Sequence, residues 1–446
     1  MSINRTTTLS LAAVACIAVA VETAKAQDAT TPPPPQTMLI TNVSIFDGTN
    51  EALITGQDLA LSGDTITGLV AAGGDASSYD TVIDGKGGYL TPGLIDSHYH
   101  AFIGPAFSEV MNQPFMVSHY AAAMEAKSYP ESGVTTIREM GGPAVGLKIA
   151  IDKGYIPGPR VYPSGMMITQ TSGHMDFRNP NHLPMEMGGA APLIEMMGTG
   201  TLADGPDEVR KATREQLANG ATQIKLAVTG SVTGTKDPIF VAEYTVAEIR
   251  AAVEAAEDFG TYVAVHAYNA TGIQRALEAG VKTIEHGNLA DQETMQMIVN
   301  QGAFWIPQVW ADEVYIKQGL QKAKDVVVGT DTSMKLAKKL GAKIAFGTDL
   351  MFDLENRKTA LQELVARKKY FSSAEIMIQA TGNGGELLAL SGKRNPYGKL
   401  GVIEKDAMAD LLIYSANPLE DVAVAADPAT YLKLIIQGGK IHKNTI

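Results

Sequence analysis

The chain reads as an α/β protein: a (β/α)8 TIM barrel with a small β-sandwich subdomain formed by both chain ends. Two observations predict this. Through the middle of the sequence, short β-rich runs alternate with amphipathic helical segments, the pattern of a parallel sheet with crossover helices. Both ends are instead strand-rich with turn chemistry between the strands and no long helical period.

In chain order, residues 1–26 have the pattern of a secretory signal peptide. Arg5 supplies a positive n-region, residues 9–21 an apolar stretch, and Ala24-Lys25-Ala26 an A-x-A cleavage site. The stretch is shorter than the roughly 20 residues a membrane-spanning helix needs. An exported, periplasmic or secreted product with no membrane anchor after cleavage is therefore expected. Residues 27–37 (QDATTPPPPQT) are a proline-rich linker. Residues 38–90 hold the runs MLITNVSIF, DLALSGDTITGLV and TVIDGKGGYL, and residues 396–446 hold ADLLIYSA and LKLIIQGGKIHK, together one discontinuous β-subdomain.

Residues 91–395 carry the barrel, with strands starting near Leu94, Val134, Val161, Ile224, Tyr262, Thr283, Phe304 and Ile344. Eight strand–helix repeats point to a closed barrel rather than an open sheet. The segment TVAEIRAAVEAAEDFG shows the helical period: Ile249, Val253, Ala256 and Phe259 recur at helical spacing and Gly260 ends the run. Residues 165–205, after the third strand, are rich in Met, Gly, Pro and Asn and lack periodicity. Such an insertion at the C-terminal end of a barrel strand reads as a lid or substrate wall.

Composition excludes some partners. The formal net charge of −12 and the absence of a basic stripe disfavour nucleic acid. The only cysteine, Cys16, falls in the leader, so a mature chain has no disulfide, thiol nucleophile or thiolate ligand. Any metal has to be held by imidazole and oxygen.

Such donors recur at strand ends. GLIDSHYH carries His98 and His100, ATQIKLAV carries Lys225, TYVAVHA carries His266, VKTIEHG carries His286 and AKIAFGTD carries Asp349. His98 and His100 are two residues apart, so strand alternation points both imidazoles the same way, with Asp96 before them. A lone histidine such as His266 or His286 is more often a hydrogen-bonded core residue. Two on successive strands, facing an H-x-H strand, favour a ligand role. Asp349 can reach a metal and a bound water, or it can cap the following helix. Lys225 is the odd member, because a buried charged lysine without a partner is costly and a snorkelling amine is the ordinary alternative.

Taken together, TPGLIDSHYH, VHAYNATGIQRALEAG, IEHGNLAD, FGTDL and ATGNGGELLALSGKRNPYGKLGVIEKDAMADLLI resemble the amidohydrolase superfamily in its two-metal, carboxylated-lysine form. The resemblance runs from about Met38 to the end and is nearest the Xaa-Pro dipeptidase-like and ochratoxin-hydrolysing branch. It implies two divalent metal ions, with zinc the best match to the donor set. One is held by His98, His100 and Asp349, the other by His266 and His286, and N6-carboxylysine at Lys225 bridges them. A shared hydroxide would attack the amide carbonyl, with Asp349 moving its proton to the leaving amine.

The resemblance also implies a small-molecule substrate and a homo-oligomer. That branch acts on amides whose amine side carries a carboxylate, such as N-acyl amino acids, Xaa-Pro dipeptides or ochratoxin A-like compounds. His174, in TSGHMDF, resembles the residue that stabilises the carbonyl oxyanion. Tyr268, two residues after His266, faces the same mouth, and Arg178 on the insertion is a candidate for the terminal carboxylate. Imidazolonepropionase-like cyclic-amide hydrolysis is the alternative, opposed by Lys225, which that one-metal branch lacks. A lactonase fits the metal set but not HGNLAD and RNPYGKLG.

Overall fold

Both ends of the described chain meet in a single hydrogen-bonded sheet. In the computed structural model, which describes residues 35–105, 109 and 112–446, seven strands run in the order Lys440–Asn444, Leu432–Gln437, Leu411–Tyr414, Thr81–Pro92, Thr37–Ile45, Gln57–Ser62, Thr65–Ala71. Residues 1–26, expected to be a signal peptide, and most of the expected linker 27–37 lie outside the described residues; Thr37 opens the first strand. The far edge of the sheet folds back on itself. The Ile66 amide donates to Ala407 O at 2.8 Å and the Ala409 amide to Asp64 O at 2.8 Å, just ahead of the Leu411–Tyr414 strand. An apolar cluster including Ile40, Leu59, Ile66, Leu90, Leu411 and Leu434 fills the enclosed face.

The middle of the chain is an α/β fold built on parallel strands. Leu94–Tyr99, Val134–Glu139 and Arg160–Pro163 form one parallel sheet. Ile224–Ala227, Val263–Asn269, Thr283–Leu289, Phe304–Ile306 and Lys343–Ile344 follow one another in a second sheet of seven strands. Backbone hydrogen bonds also run from the last segment to the first strand: Ser97 N to Phe346 O at 2.8 Å and Asp349 N to His98 O at 2.9 Å.

The intervening helices form where sequence periodicity and capping agree. Val246–Asp258 starts on a capping box in which the Thr245 hydroxyl accepts from the Glu248 amide and Glu248 reaches back. Its buried stripe contains Ile249, Val253 and Ala256. Phe259, expected on that stripe, is 40% exposed because the helix ends at Asp258 and Phe259 is its cap.

The insertion 165–205 is more structured than its composition suggests. Met167–Thr169 and Gly200–Leu202 are short parallel strands that join the large sheet, and Leu193–Met196 is one helical turn. Runs of three residues are too short to show a period of two, which is why the sequence reads as loop.

Candidate metal centre

Parallel strands present all their C-terminal ends on one side, and the register decides which side chains meet there. Ala227 pairs with His266, and Ala267 with His286, so the two histidines sit nearly level on neighbouring strands. Lys225 pairs with Ala264, two residues before His266 on the same face, and so lies one layer deeper. His98 arrives from the first strand, with Nε2 3.3 Å from His100 Nε2 and 3.4 Å from Asp349 Oδ1. His100 Nε2 is 3.5 Å from the same carboxylate oxygen and His286 Nδ1 3.8 Å from Asp349 Oδ2. Ring contacts complete the cluster: His98 to His286 at 4.9 Å and His286 to His266 at 4.5 Å between centroids.

Two of these residues reach the cluster only through unusual backbone. His286 has φ +68° and Asp349 φ +49°, the left-handed region that non-glycine residues rarely adopt. After His286 the chain needs glycine. Gly287 has φ +63°, and a Cβ there would lie 2.4 Å from Trp305 Nε1, which itself donates to His286 O at 2.6 Å. Left-handed residues of this kind cost about 1–3 kcal/mol each and concentrate at functional sites.

The electrostatics fit a ligand set. Burial holds all four imidazoles well below their ordinary pKa, reinforced at each by neighbouring positive charge, so they are neutral donors. Burial also lowers Lys225 and raises Asp349, each opposed in part by the charge of the other. Two tautomers are set from outside. His98 Nδ1 donates to Glu285 Oε2 at 2.8 Å and His286 Nδ1 to Gln308 Oε1 at 2.7 Å, so each Nε2 carries the lone pair.

Three buried atoms in this one place lack any hydrogen-bond partner: Lys225 Nζ, His100 Nδ1 and Asp349 Oδ1. One donor atom from each of His98, His286 and Asp349 lies within 4.8 Å of the others. Orphaned buried donors and acceptors are costly, and a bound divalent cation is what imidazole and carboxylate donors at this spacing would satisfy.

Sequence reasoning missed Glu285, which holds this set in place. Glu285, wholly buried, receives two bonds from Arg138 Nη2 at 2.7 and 2.8 Å besides its bond to His98. Arg138 Nε also donates to Ser97 O at 2.6 Å, tying the second strand to the first. The signal was present in IEHG, where an acid precedes the ligand, and in the otherwise apolar-flanked TTIREM. Asp96 departs from the expected common face. Its carboxylate accepts from the His98 and Thr348 amides at 3.1 Å and from the Thr348 hydroxyl at 2.6 Å, so it clamps the first strand to the last segment. A register shift between Asp96 and Tyr99 breaks the simple alternation.

A cavity opens above the cluster, lined by all six predicted metal-site residues together with His174 and Tyr268. His174 stacks on His266 at 4.2 Å, with Nδ1 3.7 Å from Asp237 Oδ2, and burial pushes its pKa down to about 4 against the pull of Asp237. Tyr268 stacks on His286 at 4.8 Å. Arg178 is not brought to the cavity: its Nε and Nη2 bind the two oxygens of Asp176 at 2.8 Å each. A guanidinium two residues from a carboxylate in a turn finds that partner first.

Comparison with known proteins agrees with this geometry. The amidohydrolase family profile matches residues 89–441. The chain is 29% identical to ochratoxinase of Aspergillus niger over 372 residues, covering 79% of this chain and 75% of that one. A crystal structure of a prolidase complexed with N-methylphosphonate-L-proline superposes with TM-score 0.84 at 30% identity, covering 92% of this chain and all of the other. The crystal structure of A. niger ochratoxinase superposes with TM-score 0.81 at 25% identity, covering 92% and 96%. Match, fold and donor set converge: the chain belongs to the amidohydrolase family.

Proposed function

We propose that this protein is a two-metal hydrolase that cleaves the amide bond of a small molecule bearing a bulky apolar acyl group, of the N-acyl amino acid, Xaa-Pro dipeptide or ochratoxin A-like kind. The observation that carries the reading is the meeting of His98, His100, Lys225, His266, His286 and Asp349 on one cavity. The ochratoxinase and prolidase likenesses support the bond type. A closed (β/α)8 barrel is part of the reading, supported by the bonds from Phe346 and Asp349 to the first strand.

The metal-holding residues would be those six, with Lys225 as its carbamate. Bound there, divalent cations, zinc by preference, would polarise the carbonyl and lower the pKa of water towards neutrality. The chain's own groups do the rest. Glu285 and Gln308 fix which nitrogen His98 and His286 turn to the cluster. Asp349 Oδ1, buried and unpartnered, is placed to hold a proton and hand it to the leaving amine. His174 faces the reacting carbonyl from its stack on His266, and Tyr268 stands beside it. The walls Met167, Met175 and Met197 against Met351 and Phe352 exclude water and adapt to a bulky apolar group.

We further propose export directed by residues 1–26 and a homo-oligomeric state, read out by N-terminal sequencing of the mature protein and by light scattering. The function is tested with a panel of N-acyl amino acids, Xaa-Pro, Xaa-Arg and Xaa-Phe dipeptides and ochratoxin A, assayed with metal content measured. Amide cleavage of one of these by two-metal protein is expected; two-metal protein that cleaves none contradicts the reading.

A further inference from the structure

His174 stands at the tip of a tight turn, and one buried carboxylate closes that turn. Gly173 N donates to Gln170 O at 3.0 Å and Asp176 N to Gly173 O at 2.9 Å. Asp176 Oδ2 accepts from Ser172 N at 2.8 Å, so the chain is pinned on both sides of His174. Ser172 has φ +62°, a left-handed conformation that serine keeps only where its surroundings impose it. On its underside, a Cβ on Gly173 would lie 2.5 Å from Thr169 Oγ1 and 2.6 Å from Glu243 Oε2, so the turn rests directly on those side chains.

The carboxylate is itself held from two directions. Arg178 donates to Oδ1 from its amide at 3.2 Å and from Nε at 2.8 Å, and to Oδ2 from Nη2 at 2.8 Å. Lys236 Nζ donates to Oδ1 at 3.3 Å from the loop that follows the Ile224–Ala227 strand. Burial raises the Asp176 pKa, but the bonds from Arg178 and the Ser172 amide outweigh it and hold the carboxyl well below its ordinary range. Asp176 is therefore an anion at neutral pH.

The loop that supplies Lys236 also faces the imidazole. Asp237 Oδ2 lies 3.7 Å from His174 Nδ1. Ser231 N and Oγ fix that oxygen at 2.7 Å each, and Lys322 Nζ lies 3.3 Å from Oδ1. Val232 and Thr233 of the same loop line the cavity. Lys236 thus grips, through Asp176, the backbone that carries His174, while its neighbour Asp237 faces the ring. Stacking on His266 at 4.2 Å sets the spacing of the two rings but does not stop one sliding over the other. The anchored turn does.

We propose that Asp176 is a positioning residue for His174: its carboxylate closes the turn that carries the imidazole and, through Lys236, locks that turn to the loop bearing Asp237. The inference rests on the hydrolase reading above, in which His174 faces the reacting carbonyl, and names the residue that aims it.

The test is a double-mutant cycle of Asp176→Ala and His174→Ala, run on zinc-loaded protein with the amide that wild type cleaves fastest. Asp176→Ala should lower kcat by about 10–100-fold with KM within about threefold and both metals retained, since a misplacement of about 1 Å costs on that order. Asp176→Asn, which keeps an oxygen for the Ser172 amide, should recover part of the loss. In the His174→Ala background, Asp176→Ala should move kcat by less than about threefold, because nothing remains to be aimed. Should Asp176→Ala fail to fold, Lys236→Met replaces it in the cycle, at a side chain 31% exposed. A loss of about three- to tenfold is then expected, again absent without His174. An unchanged kcat, equal losses in both backgrounds, or loss of metal from the Asp176 variant overturns the inference and leaves the hydrolase reading intact. Wild-type protein that cleaves no amide overturns both.

Discussion

Replacing Lys225 by methionine should change stability in opposite directions with and without metal. Lys225 is fully buried, its Nζ has no hydrogen-bond partner, and burial already drives its pKa down. Methionine keeps the apolar stem and removes the orphaned amine. In chelator-treated protein, relief of one unsatisfied buried donor is worth about 1–3 kcal/mol, so the variant should be more stable than wild type. With zinc present, wild type gains what binding supplies, about 2.7 kcal/mol per site at a hundredfold excess over Kd, and a variant without the bridging group forgoes much of it. The assay is unfolding in denaturant with chelator and with zinc, at matched protein concentration, alongside metal analysis. Protein exchanged into ¹³C-bicarbonate should also show a carbamate carbon that the variant lacks. A variant less stable than wild type in chelator would refute the argument that the amine is unpartnered. One that keeps two metals and full activity would remove the bridging role.

Other perturbations separate support from chemistry. Glu285→Gln strips the buried carboxylate from Arg138 and His98; about 3–5 kcal/mol of stability and 10–100-fold in metal affinity should be lost, read by denaturation and zinc titration. His174→Ala should lower kcat by about 10²–10³ with both metals retained, and loss of metal instead would make His174 a ligand support. Glu243 is buried beside the His174 loop and its pKa is pushed up to about 9 by burial, from 4.5. The folded state therefore keeps a proton that the unfolded chain releases. That contribution is complete below about pH 4.5 and is lost as pH rises through about 9. Glu243→Gln should flatten the fall in stability between pH 5 and 9, measured by denaturation at each pH; an unchanged slope would show that Glu243 is ionised in the fold.

Much of this site was legible because it sits on regular elements. The eight expected strand starts lie within one residue of the observed ones, from Leu94 to Lys343, since each is a β-branched or aromatic run bounded by turn residues. The six donors line one cavity because they lie on, or just after, parallel strands whose C-terminal ends open on the same side. What stayed hidden depends on backbone that breaks alternation. The register shift after Asp96 turns away a side chain that strand periodicity assigns to the common face of His98 and His100. Long-range partners were equally invisible: nothing local in the sequence says that Arg138 meets Glu285, 147 positions away.

The central claim is that the cluster of His98, His100, Lys225, His266, His286 and Asp349 performs metal-dependent amide hydrolysis. Its most direct test is a titration: strip the purified protein with chelator, add zinc back in steps, and measure bound metal and amide cleavage on the same sample. The account predicts no cleavage when metal-free and activity that rises to a plateau as the second equivalent binds. Undiminished cleavage by protein shown to be metal-free would contradict it.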